Sequence, residues 1–124
     1  MRLLSVDVGS RRTGIAFFDE SVGIPLPLDT VEHETLDDLL IAVKRILSER
    51  SVGTVIVGLP LLLSGKEGEQ CTYVRDFLGL LEKEAIPFRL IDERYTTPNS
   101  RQFDGDAAAA CTLLQMALER DEHA

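Results

Sequence analysis

Three acids in this chain stand where chemistry could use them: Asp7 in "SVDVGS", Glu93 in "LIDERYTT" and Asp106 in "FDGDAAAA". Singly, each has a structural explanation. A hairpin can tolerate an acid at its rim, the acids after Ile91 can belong to a strand end salt-bridged through Asp92 and Arg94, and acids at a helix start are favoured by capping and by the dipole. Jointly they suggest more. Three carboxylates brought together in a partly desolvated cleft repel one another, and some stay protonated unless a cation neutralises them. Ligation by oxygen alone, with neither His nor Cys nearby in sequence, selects hard cations such as Mg²⁺ or Mn²⁺. Two such ions about 3.5–4 Å apart can activate a water and steady the leaving oxygen of a phosphodiester.

Other chemistries find less support. His33 lies in an acidic connector and His123 in the tail, so both read as solvent-exposed and neither suits a nucleophile–base pair. Cys71 and Cys111 fit neither a CxxC nor a zinc pattern, and Cys111 sits on a helix face that reads as core packing. Two packed thiols in a reducing cytosol are therefore expected. The first glycines, Gly9 and Gly14, could let a phosphate approach the backbone or could simply serve a hairpin. The loop "VGLPLLLSGKEGEQ" reads as a structural turn bordering the site, with Lys66 able to assist phosphate binding.

The elements that position these groups follow from local pattern. Leu3 to Val8 reads as a strand, a tight turn follows at Gly9 to Arg12, and Thr13 to Phe18 returns antiparallel. A third extended piece, Ile24 to Val31, carries Pro25 and Pro27 and so belongs at an edge. Thr35 with Asp38 resembles a capping box, and Leu36, Leu39, Leu40, Val43, Ile46 and Leu47 recur at helical spacing up to Arg50. "TVIVG" is a continuous apolar run, typical of a strand covered on both faces. Glu69 to Glu84 reads as a helix, Pro87 to Ile91 as a strand, and Gly105 onward as a final helix with small residues Ala107, Ala110 and Cys111 on one face. The expected architecture is one α/β domain over residues 1–124: a mixed five-stranded sheet, formed from a three-strand meander and then α-β-α-β-α, with helices on both faces.

Composition bounds the partners. The chain has 124 residues, 44% apolar and 27% charged, with a net charge of −8, which suits an ordinary globular domain with no membrane span. The acidic balance argues against coating nucleic acid through a broad basic surface. It leaves room for a nuclease, because carboxylates gathered for metal add negative charge themselves.

The segments "SVDVGSRRTGIAFFD", "VGLPLLLSGKEGEQCTYVRDF", "DERYTT" and "DAAAACTLLQMAL" resemble, in order and spacing, the YqgF/RuvX family. The resemblance covers nearly the whole chain. It implies a ribonuclease H-like fold and a nuclease that acts on pre-16S ribosomal RNA or resolves Holliday junctions. Carried over, the family's acidic positions fall on Asp7, Glu93 and Asp106, with Mg²⁺ or Mn²⁺ as cofactor, and its basic positions fall on Arg12 and Arg94. Lys66 and Arg101 are further candidates for substrate phosphate. Two departures stand out. Leu62 and Ser64 replace polar residues of the family's loop, and the segment Pro98 to Gly105 is shorter than the family's usual one. The chain then either cleaves with this reduced substrate surface or has it completed by a ribosomal partner or a homodimer mate. The reading from another class is a non-catalytic RNA-binding module of the same fold. A sugar-kinase-like nucleotide site also uses an N-terminal D-x-G hairpin, but it needs a second closing domain for which this chain has no length.

Overall fold

The computed structural model describes residues 1–60, 64, 67–92 and 105–122, with the backbone alone at 105–107 and 120–122. Strand β1 (Arg2–Asp7) runs antiparallel to β2 (Arg12–Asp19), with Asp7 opposite Gly14. On its other side β1 pairs parallel with β5 (Thr54–Leu59), and β5 pairs parallel with β6 (Phe88–Asp92). The expected third extended piece becomes two short rungs on β2. Leu26–Pro27 (β3) sits opposite Phe17 and Ala16, and Val31–Glu32 (β4) opposite Thr13 and Arg12. Pro25 and Pro27 have no N–H to donate, so a longer ladder is interrupted there, and β3 ends the order β3-β2-β1-β5-β6. The sheet is thus mixed as expected, with six strands where five were anticipated.

Among the described residues three helices cover it. Helix α1 (Leu36–Arg50) starts where the Asp38 N–H donates to Thr35 Oγ1 at 3.1 Å, and it stops at Ser51, whose φ of 54° is left-handed. Helix α2 (Gln70–Lys83) and α1 bury Leu39, Val43, Val74, Phe77 and Leu81 against Leu4, Val6, Val55 and Val57. Each such fully buried side chain contributes about 1.5–3 kcal/mol. The opposite face carries α3 (Gly105–Glu122), whose Ala110, Leu113, Leu114 and Ala117 pack on Leu3, Ala16, Phe18, Ile56 and Ile91. Period-2 alternation sorts β1 between the two layers: Leu4 and Val6 face α1 and α2, while Leu3 and Ser5 face α3. Among the described residues no helix is long and apolar enough to cross a membrane.

Candidate active site

Strands β1, β5 and β6 run in one direction, so their C-terminal ends open along one rim of the sheet, where α/β folds bind ligands. Asp7 is the last residue of β1, half-buried, and alternation puts it on the α3 face with Leu3 and Ser5. Its partner on β2 is Gly14. Val6 pairs with Val57, so the next rung brings Gly58 level with Asp7 on the β5 side. In-register residues of adjacent strands point to the same face. Asp7 therefore has a residue without a side chain level with it on each neighbouring strand. Sequence reasoning singled out Gly14 but missed Gly58 as its counterpart, because the pairing of β5 with β1 is not written locally.

The register also fixes the side of Asp92, which ends β6. Asp92 lies opposite Leu59, a residue of the core under α1 and α2, and shares that side of the sheet rather than Asp7's. Glu93 follows Asp92 in sequence and lies outside the described residues, as do Lys66, Arg94, Arg101 and His123.

Helix α3 reaches the same rim through a buried contact. Ser5 Oγ donates to the Ala110 carbonyl at 2.6 Å. Ser5 is one pleat repeat before Asp7, about 6.6 Å, and Ala110 is four residues after Asp106, about 6 Å along a helix. Ala110 allows the approach because a methyl side chain holds the helix backbone off the strand far less than a larger one would. Asp106 occupies the second position of α3, and its side chain is not among those described. The structure thus shows Asp7 and the start of α3 anchored to neighbouring points of one face. Among the described residues no three His, Cys, Asp or Glu side chains form a metal-binding group. Cys111 is half-buried, and burial pushes its thiol pKa up, in keeping with a packing role.

The hairpin between β1 and β2 is tightly made. An added Cβ on Gly9 would lie 2.2 Å from the Arg12 carbonyl oxygen. The Gly9 N–H points to Thr13 Oγ1 at 3.4 Å, and Thr13 is completely buried. Arg12 is exposed and forms a 3.7 Å ion pair with Glu32 across the β2–β4 rung. Such an exposed pair is worth under about 1 kcal/mol, so a phosphate can compete for the guanidinium.

His33 corrects the sequence reading. It is buried, 6% exposed, and its Nε2 lies 2.7 Å from Thr13 Oγ1. The available signal was its alternation with Glu32 and Glu34, which put it on the inward side with Val31. Burial lowers its pKa from 6.5, against the opposing pull of the Thr35 backbone and the Asp38 carboxylate. With the native value below the unfolded one, the unfolded chain binds the extra proton between them. The His33 contribution is therefore complete above pH 6.5 and is lost as pH falls through the native pKa. Urea unfolding free energies measured from about pH 7.5 down to 5.5 should decline in the wild type. The decline should be shallower in His33→Gln, which has nothing to titrate there.

Comparison with known proteins adds the following. The profile of the family described as "RuvX: Holliday junction resolvase" matches residues 1–120. A protein of Anaeromyxobacter sp. (strain Fw109-5) named "Putative pre-16S rRNA nuclease" is 36% identical, over 96% of this chain and 97% of its own length. A protein of the same name from Rickettsia typhi is 28% identical over 94% of this chain and 83% of its own. Thermus thermophilus RuvC superposes with a TM-score of 0.63, covering 98% of this chain and 97% of that one at 11% identity. T. thermophilus RuvC in complex with Holliday junction substrate gives 0.61, over 91% of each chain at 14% identity. At such identities the likeness speaks for the fold.

Proposed function

The chain belongs to the RuvX family, and on that premise we propose that it is a divalent-metal-dependent endonuclease acting on structured nucleic acid, with pre-16S ribosomal RNA as its substrate. The observation that carries this reading is the half-buried Asp7 carboxylate at the end of β1, flanked on its own face by Gly14 and Gly58. A half-buried carboxylate at the rim where parallel strands end is placed as a ligand for a cation that also meets a phosphate would be. RNA is preferred over branched DNA because relatives at this level of identity carry the rRNA name.

Asp7, Glu93 and Asp106 are the residues proposed to hold Mg²⁺ or Mn²⁺. Their all-oxygen donor set matches the preference of those ions. When bound, the ions supply a water of lowered pKa and stabilise charge on the leaving oxygen. The chain's own part is to bind and orient. Arg12 stands on the hairpin just beyond Asp7 and offers its guanidinium to a backbone phosphate, while Lys66, Arg94 and Arg101 are proposed to grip neighbouring phosphates. The chain's acidic balance leaves little general attraction for nucleic acid. Substrate choice therefore rests on these few cations, and on a ribosomal partner or a second copy of the chain where the segment before Asp106 is short.

The test sets a pre-rRNA fragment beside a synthetic four-way DNA junction, each with Mn²⁺, with Mg²⁺ or with chelator. Cleavage of the RNA that needs metal, and at least about tenfold slower cutting of the junction, supports the proposal. Preferential cutting of the junction would move the substrate to branched DNA. RNA binding with no metal-dependent cleavage would leave a non-catalytic module.

A further inference from the structure

We propose that His33 is a positioning residue, a two-point clamp on the β1–β2 hairpin that sets Asp7 and Arg12 for cation and phosphate. The geometry is specific. The His33 N–H donates to the Arg11 carbonyl at 2.9 Å, and its ring Nε2 meets Thr13 Oγ1 at 2.7 Å. One residue thus holds the hairpin on both sides of Arg12. Thr13 Oγ1 in turn receives the Gly9 N–H, two residues past Asp7. The clamp runs from β4 through Thr13 to the turn that follows the candidate metal ligand.

The clamp has a rigid base. Two residues after His33, Thr35 caps α1, so displacing the ring means disturbing a helix start packed into the core. Burying the ring costs free energy that its polar contacts must offset, and the close one is that of Nε2 with Thr13 Oγ1 at 2.7 Å. Phenylalanine or leucine would fill the volume but would make no polar contact with Thr13 Oγ1. Around it, Arg11 and Arg12 from the hairpin face Glu32 and Glu34 beside β4 and Asp38 from α1, lining an open depression of about 590 Å³. The two arginines there need a fixed backbone if they are to meet a phosphate rather than fold onto these acids. Groups that support a metal ligand typically change metal affinity or activity by about 10–100-fold, and this one acts through Thr13 and Gly9 on the turn that follows Asp7.

The activity arm of this inference rests on the nuclease reading; the structural arm does not. Four proteins are compared: wild type, His33→Phe, Thr13→Val and the double variant, with His33→Gln as the conservative rescue. By hydrogen exchange, the amides of Gly9 and of residue 33 should exchange about tenfold faster in His33→Phe and Thr13→Val. They should return towards wild type in His33→Gln, whose amide reaches the same hydroxyl. Metal-dependent kcat/KM should fall about 10–100-fold in the two single variants and within about threefold in His33→Gln. The double variant should be no worse than the singles, because both remove one contact. If His33→Phe fails to fold, Thr13→Val carries the same test from the other side. Unchanged hairpin exchange in the single variants overturns the clamp, and so does a loss in His33→Gln as large as in His33→Phe. A wild type that cuts nothing removes the nuclease reading, and the exchange data still judge the clamp.

Discussion

Asp7→Asn should reduce metal-dependent cleavage by at least about a thousandfold while leaving the fold intact, the equivalent of roughly 4 kcal/mol of transition-state stabilisation. The substitution keeps size and polarity but removes the charge that would hold a divalent ion. Because Asp7 lies at the rim and is half-buried among glycines, an amide there costs the core little. Calorimetric titration with Mn²⁺ and single-turnover cleavage of the RNA fragment, run beside a thermal melt, check both halves. Cleavage at the wild-type rate would remove Asp7 from the mechanism, and a collapsed melt would make it a structural residue instead.

Gly9→Ala should be the most damaging small substitution in the hairpin. The added methyl would stand 2.2 Å from the Arg12 carbonyl oxygen, a backbone atom that cannot swing aside as a side chain can. Gly9 is needed here for closeness rather than handedness, since its φ is not among the positive ones. Overpacking of this kind costs about 1–3 kcal/mol, or a fall in melting temperature on the order of 10 °C for a domain of this size. Relief comes only by opening the turn, which draws Thr13 from Gly9 and moves Arg12 relative to Asp7. A displacement of about 1 Å at reacting groups can cost about a hundredfold in rate, so activity should fall by about that factor even well below the melting range. Gly53→Ala is the control: its added carbon meets nothing within 4 Å, and neither stability nor cleavage should change appreciably. Equal melting temperatures for the two variants would mean that the hairpin backbone yields without strain.

Much of this protein was legible locally. Thr35 and Asp38 announced the start of α1, and the apolar run from Thr54 announced a strand covered on both faces. The small residues of α3 announced a close approach, which Ser5 and Ala110 make at 2.6 Å. These features depend on residues a few positions apart, whose periodicity, capping and size act over one turn or one pleat. Asp7, Glu93 and Asp106 were nominated the same way, by their positions at element ends, and Asp7 is the last residue of β1.

His33 was not legible, nor was the partnership of Gly14 and Gly58 around Asp7. By composition its neighbourhood is an acidic connector, and its burial follows from β4 pairing with β2, which no local pattern states. Gly58 likewise comes level with Asp7 because β5 pairs parallel with β1 at one register, and a slip of one residue would turn Asp7 and Gly58 to opposite faces. From its own letters the chain determined which stretches become helix and strand and which acids end them. Tertiary structure alone decided which side chains share a face, because register is set by the whole core that must close over α1, α2 and α3 at once.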